Sequence, residues 1–363
     1  MIDNLKENIQ KIDRLQAKQN YSEAEALCEE IIKSLPSSEQ GYILQISLQN
    51  RLASLLEAQS RYEKALTIIH DAAKILNQIQ TSIDPNIALS LEITTMTSLG
   101  TLQRIQSNYA EAERTYQKAI KLIETQGTEQ YQDKKTSLAN NLAIVYKYWG
   151  KFDAAESLYQ DTLATLQQRH GNHHPDIATI YHNLAGLNHA RGDYKTAETW
   201  ARQSYQLHLE LFGTQHPKTI ADGAALGSIL HGLEQWDEAI EHFQTAITFF
   251  EEKFGSIHYD VALNLNNLAA SEQAKGNLTA AEKSYRRALK IKTQILGASH
   301  PELAITLNNL ALVLKQREKT AEAKSFFEQA RAIFATTLGE DHPNVQICLD
   351  NIASLDLSEL DPS

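Results

Sequence analysis

The side chains with chemistry to offer in this 363-residue chain are thirteen histidines, two cysteines and several asparagines in unusual places. His170, His173 and His174 fall close enough to meet a metal ion, so they are the first to weigh. Yet His174, His216, His300 and His342 stand in His-Pro steps (HHPD, QHPK, SHPE, DHPN) 42 or 84 residues apart, and His258, followed by Tyr259, fills the gap. One histidine per 42 residues is a structural beat. No carboxylate or cysteine recurs beside it at ligand spacing, so no metal site is expected. Cys28 and Cys348 stand alone without a CxxC pair, which argues against a disulfide framework or a zinc ribbon. Neither GxxxxGK nor GxSxG occurs, so no catalytic residue and no cofactor is expected. Acid pairs such as Glu29/Glu30 and Glu251/Glu252 are read as a solvated helix face.

The asparagines are harder to dismiss. Residues 265–269 and 307–311 both read Leu-Asn-Asn-Leu-Ala inside stretches of helical pattern. An asparagine inside a helix costs about 0.5–0.7 kcal/mol against alanine, because its amide competes for backbone hydrogen bonds. Its amide also carries both donors and an acceptor, the complement of an extended peptide main chain.

The elements that hold these residues repeat. Ala24, Ala65, Ala112, Ala155, Ala197, Ala239, Ala281 and Ala323 form a column whose last five members are 42 residues apart. Twelve residues before seven of them sits a small residue preceded by leucine, as in Leu184-Ala185 and Leu226-Gly227. A large residue follows four later, as in Tyr116, Tyr159, Phe243, Tyr285 and Phe327. Small residues let paired helices approach, and the large ones fill the space beside them. Gly171, Gly213, Gly255, Gly297 and Gly339, each three residues before a joint histidine, punctuate the helices. Each unit is therefore helix A (176–190, for example), a short turn (191–193) and helix B (194–211).

With its Gly-x-x-His-Pro joints, Leu-Asn-Asn-Leu-Ala segments and turns such as GDYKTAE, the chain resembles tetratricopeptide repeat proteins of the 42-residue kinesin-light-chain-like type. The resemblance implies an all-α, right-handed superhelical solenoid of about eight helix pairs plus a C-terminal capping helix. One array is expected over residues 1–356, with an atypical N-terminal capping repeat at 1–36, a capping helix at 343–356 and a short tail at 357–363. No kinesin partner is implied, because the chain lacks the heptad coiled coil that kinesin light chains carry before their repeats.

Numbering helix A so that the small residue is position 8 puts positions 4, 7, 8 and 11 on the packed stripe and positions 2, 6, 9 and 13 opposite. Of 28 such opposite positions in seven helices only Arg51 is charged, where the chain average of 22% predicts about six. The resemblance implies that this face lines the concave groove. Position 6 is an asparagine column, Asn141, Asn183, Asn267, Asn309 and Asn351, broken by Ala225. Family members use asparagines there to grip a peptide main chain; an amide ladder bracing neighbouring helices is the other reading. Position 12, on the flank, is mostly basic (Arg104, Lys147, His189, His231, Lys315), which favours acidic side chains on the ligand or simply complements helix C-termini. Small Ala225 lies beside apolar Leu263, Ile305 and Leu312, a recess for a bulky ligand side chain.

The expected function is a non-enzymatic scaffold that binds an extended peptide or protein segment; the alternative is a regulatory subunit or sensor docking a folded partner through an acidic convex face. A net charge of −11 argues against nucleic acid and anionic membrane as partners. A charged N-terminus and the lack of any long apolar run predict a soluble, cytoplasmic protein. Ala225→Phe is expected to abolish binding of an identified ligand; an unchanged isotherm in calorimetry rules out the recess.

Overall fold

The computed structural model describes residues 2–17, 20–126 and 129–360. Among them the chain is all-α, with seventeen α-helices and one short 3-10 turn at Glu129–Tyr131. It divides into two compact units, Met1–Arg169 and His170–Ser363. The first contains α1 (Ile2–Ala17), α2 (Tyr21–Ser34), α3 (Glu39–Ala58), α4 (Tyr62–Ile79), α5 (Pro85–Ile105), α6 (Tyr109–Gln126), α7 (Gln132–Tyr148) and α8 (Phe152–His170), whose last residue falls in the second unit. The second contains α9 (Pro175–Arg191), α10 (Tyr194–Phe212), α11 (Pro217–Gly232), α12 (Trp236–Phe254), α13 (Tyr259–Ala274), α14 (Leu278–Leu296), α15 (Pro301–Gln316), α16 (Thr320–Leu338) and α17 (Pro343–Leu360). The final helix runs to Leu360, through most of the segment read as a tail; residues 361–363 lie outside the described ones.

Consecutive helices pack on one another from α1 to α7 and from α9 to α17, and A helices also touch A helices: α3 on α5, α5 on α7, then α9 on α11, α11 on α13 and α13 on α15. This is the nearest-neighbour architecture of a solenoid. The pairing is fixed by rings lying over small residues. A Cβ added to Gly100 would stand 2.7 Å from the Tyr116 ring, and one at Gly227 would stand 3.1 Å from Phe243. Tyr116, Tyr159, Phe243, Tyr285 and Phe327 are all fully buried, as is the alanine column four residues before them.

The A–B turns share one geometry. In each from the α3–α4 turn onward, a residue in the left-handed region follows helix A: Gly150, Gly192 and Gly276, but also Ser60, Ser107, Glu234 and Glu318, with φ near +60°. At Glu318 the Lys319 N–H donates to the Leu314 carbonyl (2.9 Å) and the Glu318 N–H to the Lys315 carbonyl (3.0 Å), the paired bonds that close a helix C-terminus. The closure requires the conformation whether or not glycine is present.

Polar groups tie one repeat to the next. The glutamate after the column alanine reaches the following A–B turn. Glu25 accepts from Lys64 (2.8 Å), Arg61 (2.6 Å) and Gln59 (3.0 Å); Glu282 accepts from Lys319 (3.0 Å), Arg286 (2.8 Å) and Arg317. Burial works to raise both carboxyls, but these donors outweigh it and hold them below the ordinary range. Glu29 also pairs, with Lys64 at 2.8 Å, so it is a bridging residue rather than merely a solvated one. In the second unit, buried Asp222 accepts from His182 Nδ1 (2.8 Å), His208 Nδ1 (2.7 Å) and the Ser204 hydroxyl, joining α9, α10 and α11.

A left-handed L-residue is strained by about 1–2 kcal/mol, offset in part by the extra entropy of an unfolded glycine. The Glu318 side chain is exposed and makes no bond of its own. Glu318→Gly is therefore expected to stabilise the chain by about 0.5–1 kcal/mol in denaturant unfolding; a destabilised variant would contradict this account of the turn.

Candidate functional site

The A-helix face opposite the packed stripe is open. None of the 28 positions at 2, 6, 9 and 13 of α3, α5, α7, α9, α11, α13 and α15 is buried, whereas the packed stripe beneath is mostly buried. Periodicity alone puts them there, because residues 2, 6, 9 and 13 recur on one side of a 3.6-residue helix. Each unit carries its own stretch of this face.

In the second unit the two asparagines of each doublet differ. The position-5 amides bridge: Asn266 Oδ1 accepts from Thr306 Oγ1 (3.2 Å), and Asn308 Oδ1 accepts from Asn351 Nδ2 (3.4 Å). The position-6 amides of Asn267 and Asn309 are half-buried and form no side-chain hydrogen bond, and the same holds for Asn141 in the first unit. Asn183 is half-buried too, while Asn351 is tied to Asn308.

The position-12 column is not uniform. Lys315 donates to Ser354 Oγ (2.7 Å), His231 Nδ1 lies 3.0 Å from Ser271 Oγ, and exposed His189 packs edge-on against Tyr194 at 5.3 Å. Burial depresses the His231 pKa. In the first unit, by contrast, Arg104 and Lys147 converge on one ring. Their charges lie 5.3 and 5.0 Å from the centroid of Tyr148, which is 56% exposed. Burial, with the Arg104 charge, holds the Lys147 ammonium below its ordinary pKa. Neither cation has an ion-pair partner among the described residues. Burial raises the carboxyl of Glu57, the position-12 residue of α3, while Arg104 pulls it the other way. Beneath, the Tyr159 hydroxyl is buried without a hydrogen-bond partner, and burial raises its pKa. The basic column was readable from spacing; the convergence was not, because it depends on Arg104 of α5 and Lys147 of α7 both folding over the same ring.

The apolar part of the face lies at Leu263, Ile305 and Ile347, exposed position-2 residues of α13, α15 and α17, with Leu312 half-buried beside them. A cavity of about 110 Å³ opens between Ile305, Ile347, Asn308, Phe334 and Asn344. Ala225 is half-buried on α11. On the same helix, a Cβ at Gly232 would stand 2.4 Å from the Tyr194 ring, so there the small residue is required by packing.

No group of three or more histidine, cysteine or acidic side chains among the described residues could hold a metal. Cys28 and Cys348 are buried, and burial together with Glu25 and Glu29 pushes the Cys28 thiol up to about 12, an unreactive state. No described helix is long and apolar enough to cross a membrane.

Paired helices, ring-on-small contacts and a 42-residue beat define a tetratricopeptide solenoid. The tetratricopeptide repeat family matches residues 91–168, 135–210, 176–252 and 260–336, and the chain belongs to it. Tetratricopeptide arrays are protein–protein interaction scaffolds and are generally not enzymes. Among curated proteins the chain is similar to the clustered mitochondria protein homologs of Emericella nidulans (25% identity) and Coccidioides immitis (26%), each over 154 residues and 42% of this chain. The match spans only 13% and 12% of those relatives' own lengths. Among solved structures it is similar in fold to BtubC (BKLC) from P. vanneervenii, with TM-score 0.55 and 21% identity over 65% of this chain and 92% of that one. It is also similar to a Rap protein complexed with competence and sporulation factor, with TM-score 0.56 and 15% identity over 98% of both.

The two members of a doublet should separate in stability measurements. Asn308→Ala removes a bridging acceptor and is expected to cost about 1 kcal/mol, whereas Asn309→Ala should stay within about 0.5 kcal/mol of the parent in urea unfolding. Equal losses would make position 6 structural as well.

Proposed function

We propose that the A-helix face of each unit docks an extended segment of a protein partner, with Asn141 in the first unit and Asn183, Asn267, Asn309 and Asn351 in the second as the main-chain contacts. The observation that carries this reading is the unequal use of the doublets: position 5 is bonded to the neighbouring helix, while Asn141, Asn267 and Asn309 leave donors and an acceptor unused. A half-exposed amide left unpaired gains little for the fold, yet matches a peptide backbone. Lys147, with Arg104 over Tyr148, is the position for an acidic ligand side chain; His189, His231 and Lys315 extend the basic flank. Leu263, Ile305 and Leu312 receive an apolar side chain, and Ala225 leaves room for it. The partner is a protein, not nucleic acid or membrane, in keeping with the net charge of −11, and a cytoplasmic setting belongs to the same reading.

A second reading, docking of a folded partner on the acidic B-helix side, is favoured by an open cavity of about 510 Å³ lined in part by Gln215, Glu241, Phe249 and Glu252. The two are separable. In pull-downs from native cells, Asn267→Ala with Asn309→Ala is expected to lose one specific partner, and Arg104→Ala with Lys147→Ala to weaken it at least about fivefold. An identical partner list from these variants, with loss only from Glu241→Lys and Glu252→Lys, would transfer the function to the B-helix side.

A further inference from the structure

Twelve of the thirteen histidines lie at or beyond residue 170; only His70 does not. Five of the twelve do the same job. His174, His216, His258, His300 and His342 precede the first residues of α9, α11, α13, α15 and α17, and each accepts a backbone N–H two residues on through Nδ1. The donors are Asp176 (3.2 Å), Lys218 (3.2 Å), Asp260 (3.3 Å), Glu302 (3.3 Å) and Asn344 (3.2 Å). These are helix N-caps made by imidazole, in the place where serine, threonine or aspartate is usual. Three rings are braced by a ring four residues earlier: His174 on His170 at 4.4 Å, His216 on Phe212 at 4.3 Å and His258 on Phe254 at 4.7 Å. The first unit caps its A helices differently. Ser38 Oγ accepts from the Gly41 N–H, and Asp84 Oδ1 from the N–H groups of Asn86 and Ile87.

The chemistry of the two caps diverges in acid. A nitrogen that accepts a hydrogen bond carries no proton, so each capping imidazole is neutral, with its proton on Nε2. Protonation removes the acceptor and sets a cation against the positive end of the helix dipole. A hydroxyl or an ionised aspartate stays an acceptor across the same range. We propose that the second unit, and not the first, is an acid-responsive array in which mild acidification frees the first turns of α9, α11, α13, α15 and α17.

The charged surroundings grade the five caps. His174 and His258 have a carboxylate at hand, Asp176 Oδ2 at 3.7 Å and Asp260 Oδ2 at 3.6 Å, which can take up a protonated ring. His216 faces Lys218 on its own helix, His208 on α10 and Lys253 on α12, and burial with these charges depresses its pKa. Near His300 the Glu302 carboxylate is engaged by Lys292 (3.4 Å) and the Tyr259 hydroxyl (3.0 Å). Near His342 the Glu340 carboxylate pairs with Arg331 (3.6 Å). The cap at His216 has no carboxylate among the charges that act on it, whereas the carboxylates near His300 and His342 are already paired. For His216, whose pKa is depressed in the fold, the sign follows: its contribution is full above the unfolded pKa of about 6.5 and is lost as pH falls through the lower folded value.

Leu263, Ile305 and Ile347 are the fifth residues of their helices, so a loosened first turn also disturbs the apolar part of the A-helix face. That coupling rests on the proposed docking function; the acid response itself does not. The test is amide hydrogen exchange on the full chain from about pH 7.5 to about pH 5.5, corrected for the intrinsic rate. Protection of the Lys218, Glu302 and Asn344 amides is expected to fall about fivefold, that of Gly41 and Asn86 to hold. His300→Asp keeps a cap that does not titrate in this range and should abolish the fall at Glu302 while retaining the protection seen at neutral pH. Protection that is independent of pH at Glu302, or a fall that persists in His300→Asp, overturns the proposal. An equal fall at Gly41 and Asn86 would place the acid effect outside the histidine caps and overturn it too.

Discussion

Helix pairs are closed by a large side chain of helix B lying against a small residue of helix A. Gly100 under Tyr116 and Gly227 under Phe243 show how little slack there is, since a methyl group at either place would meet the ring. The rest follows from that closeness. Once the ring is seated, the column alanine four residues earlier is fully buried, and the pair presents two stripes that only a neighbouring pair can cover. A solenoid is the consequence, with stability summed over nearest-neighbour interfaces. A deletion that shifts one ring out of register exposes both interfaces of that repeat.

The period, the helix faces and the asparagine doublets were legible because they are properties of spacing. A ring four residues after an alanine, and a small residue twelve before it, can be read without coordinates. What escaped depends on geometry that the sequence does not spell. Glu234 and Glu318 occupy the left-handed position that Gly192 and Gly276 occupy, because the two helices they join impose the turn. Joint histidines were recognisable as punctuation, but their role as caps rests on which ring nitrogen faces the backbone. For the candidate site, position 6 could be assigned by counting residues. The meeting of Arg104 and Lys147 over Tyr148 could not, since long side chains have many rotamers and only packing chooses among them.

The acidity of the chain has a structural use that composition alone hides. Glu25, Glu113, Glu198 and Glu282 each follow a column alanine, and Glu25, Glu113 and Glu282 reach the following repeat, through Lys64, Tyr146 and Lys319 among others. Glu198 works through Arg202, which also holds Glu238 in a two-point pair at 2.8 and 2.9 Å. Pairs of this kind, partly screened from water and sharing several donors, contribute more than isolated surface bridges. They also fix which repeat may follow which, since the acceptor lies on one repeat and its donors on the next.

This placement of charge bears on the open face. With carboxylates and cations committed to the B helices and the turns, the A-helix face is left with small, amide and hydroxyl groups. Such a face attracts no ligand from a distance. On the proposed docking role, recognition there comes from close pairing of donors and acceptors, with orientation supplied by the few charges at its edge. Arg104 and Lys147 form no ion pair among the described residues in a chain of net charge −11, and the Arg104 charge acts against the Lys147 ammonium. On the proposed docking role, an anionic group on a bound segment would relieve that effect beside the ring of Tyr148.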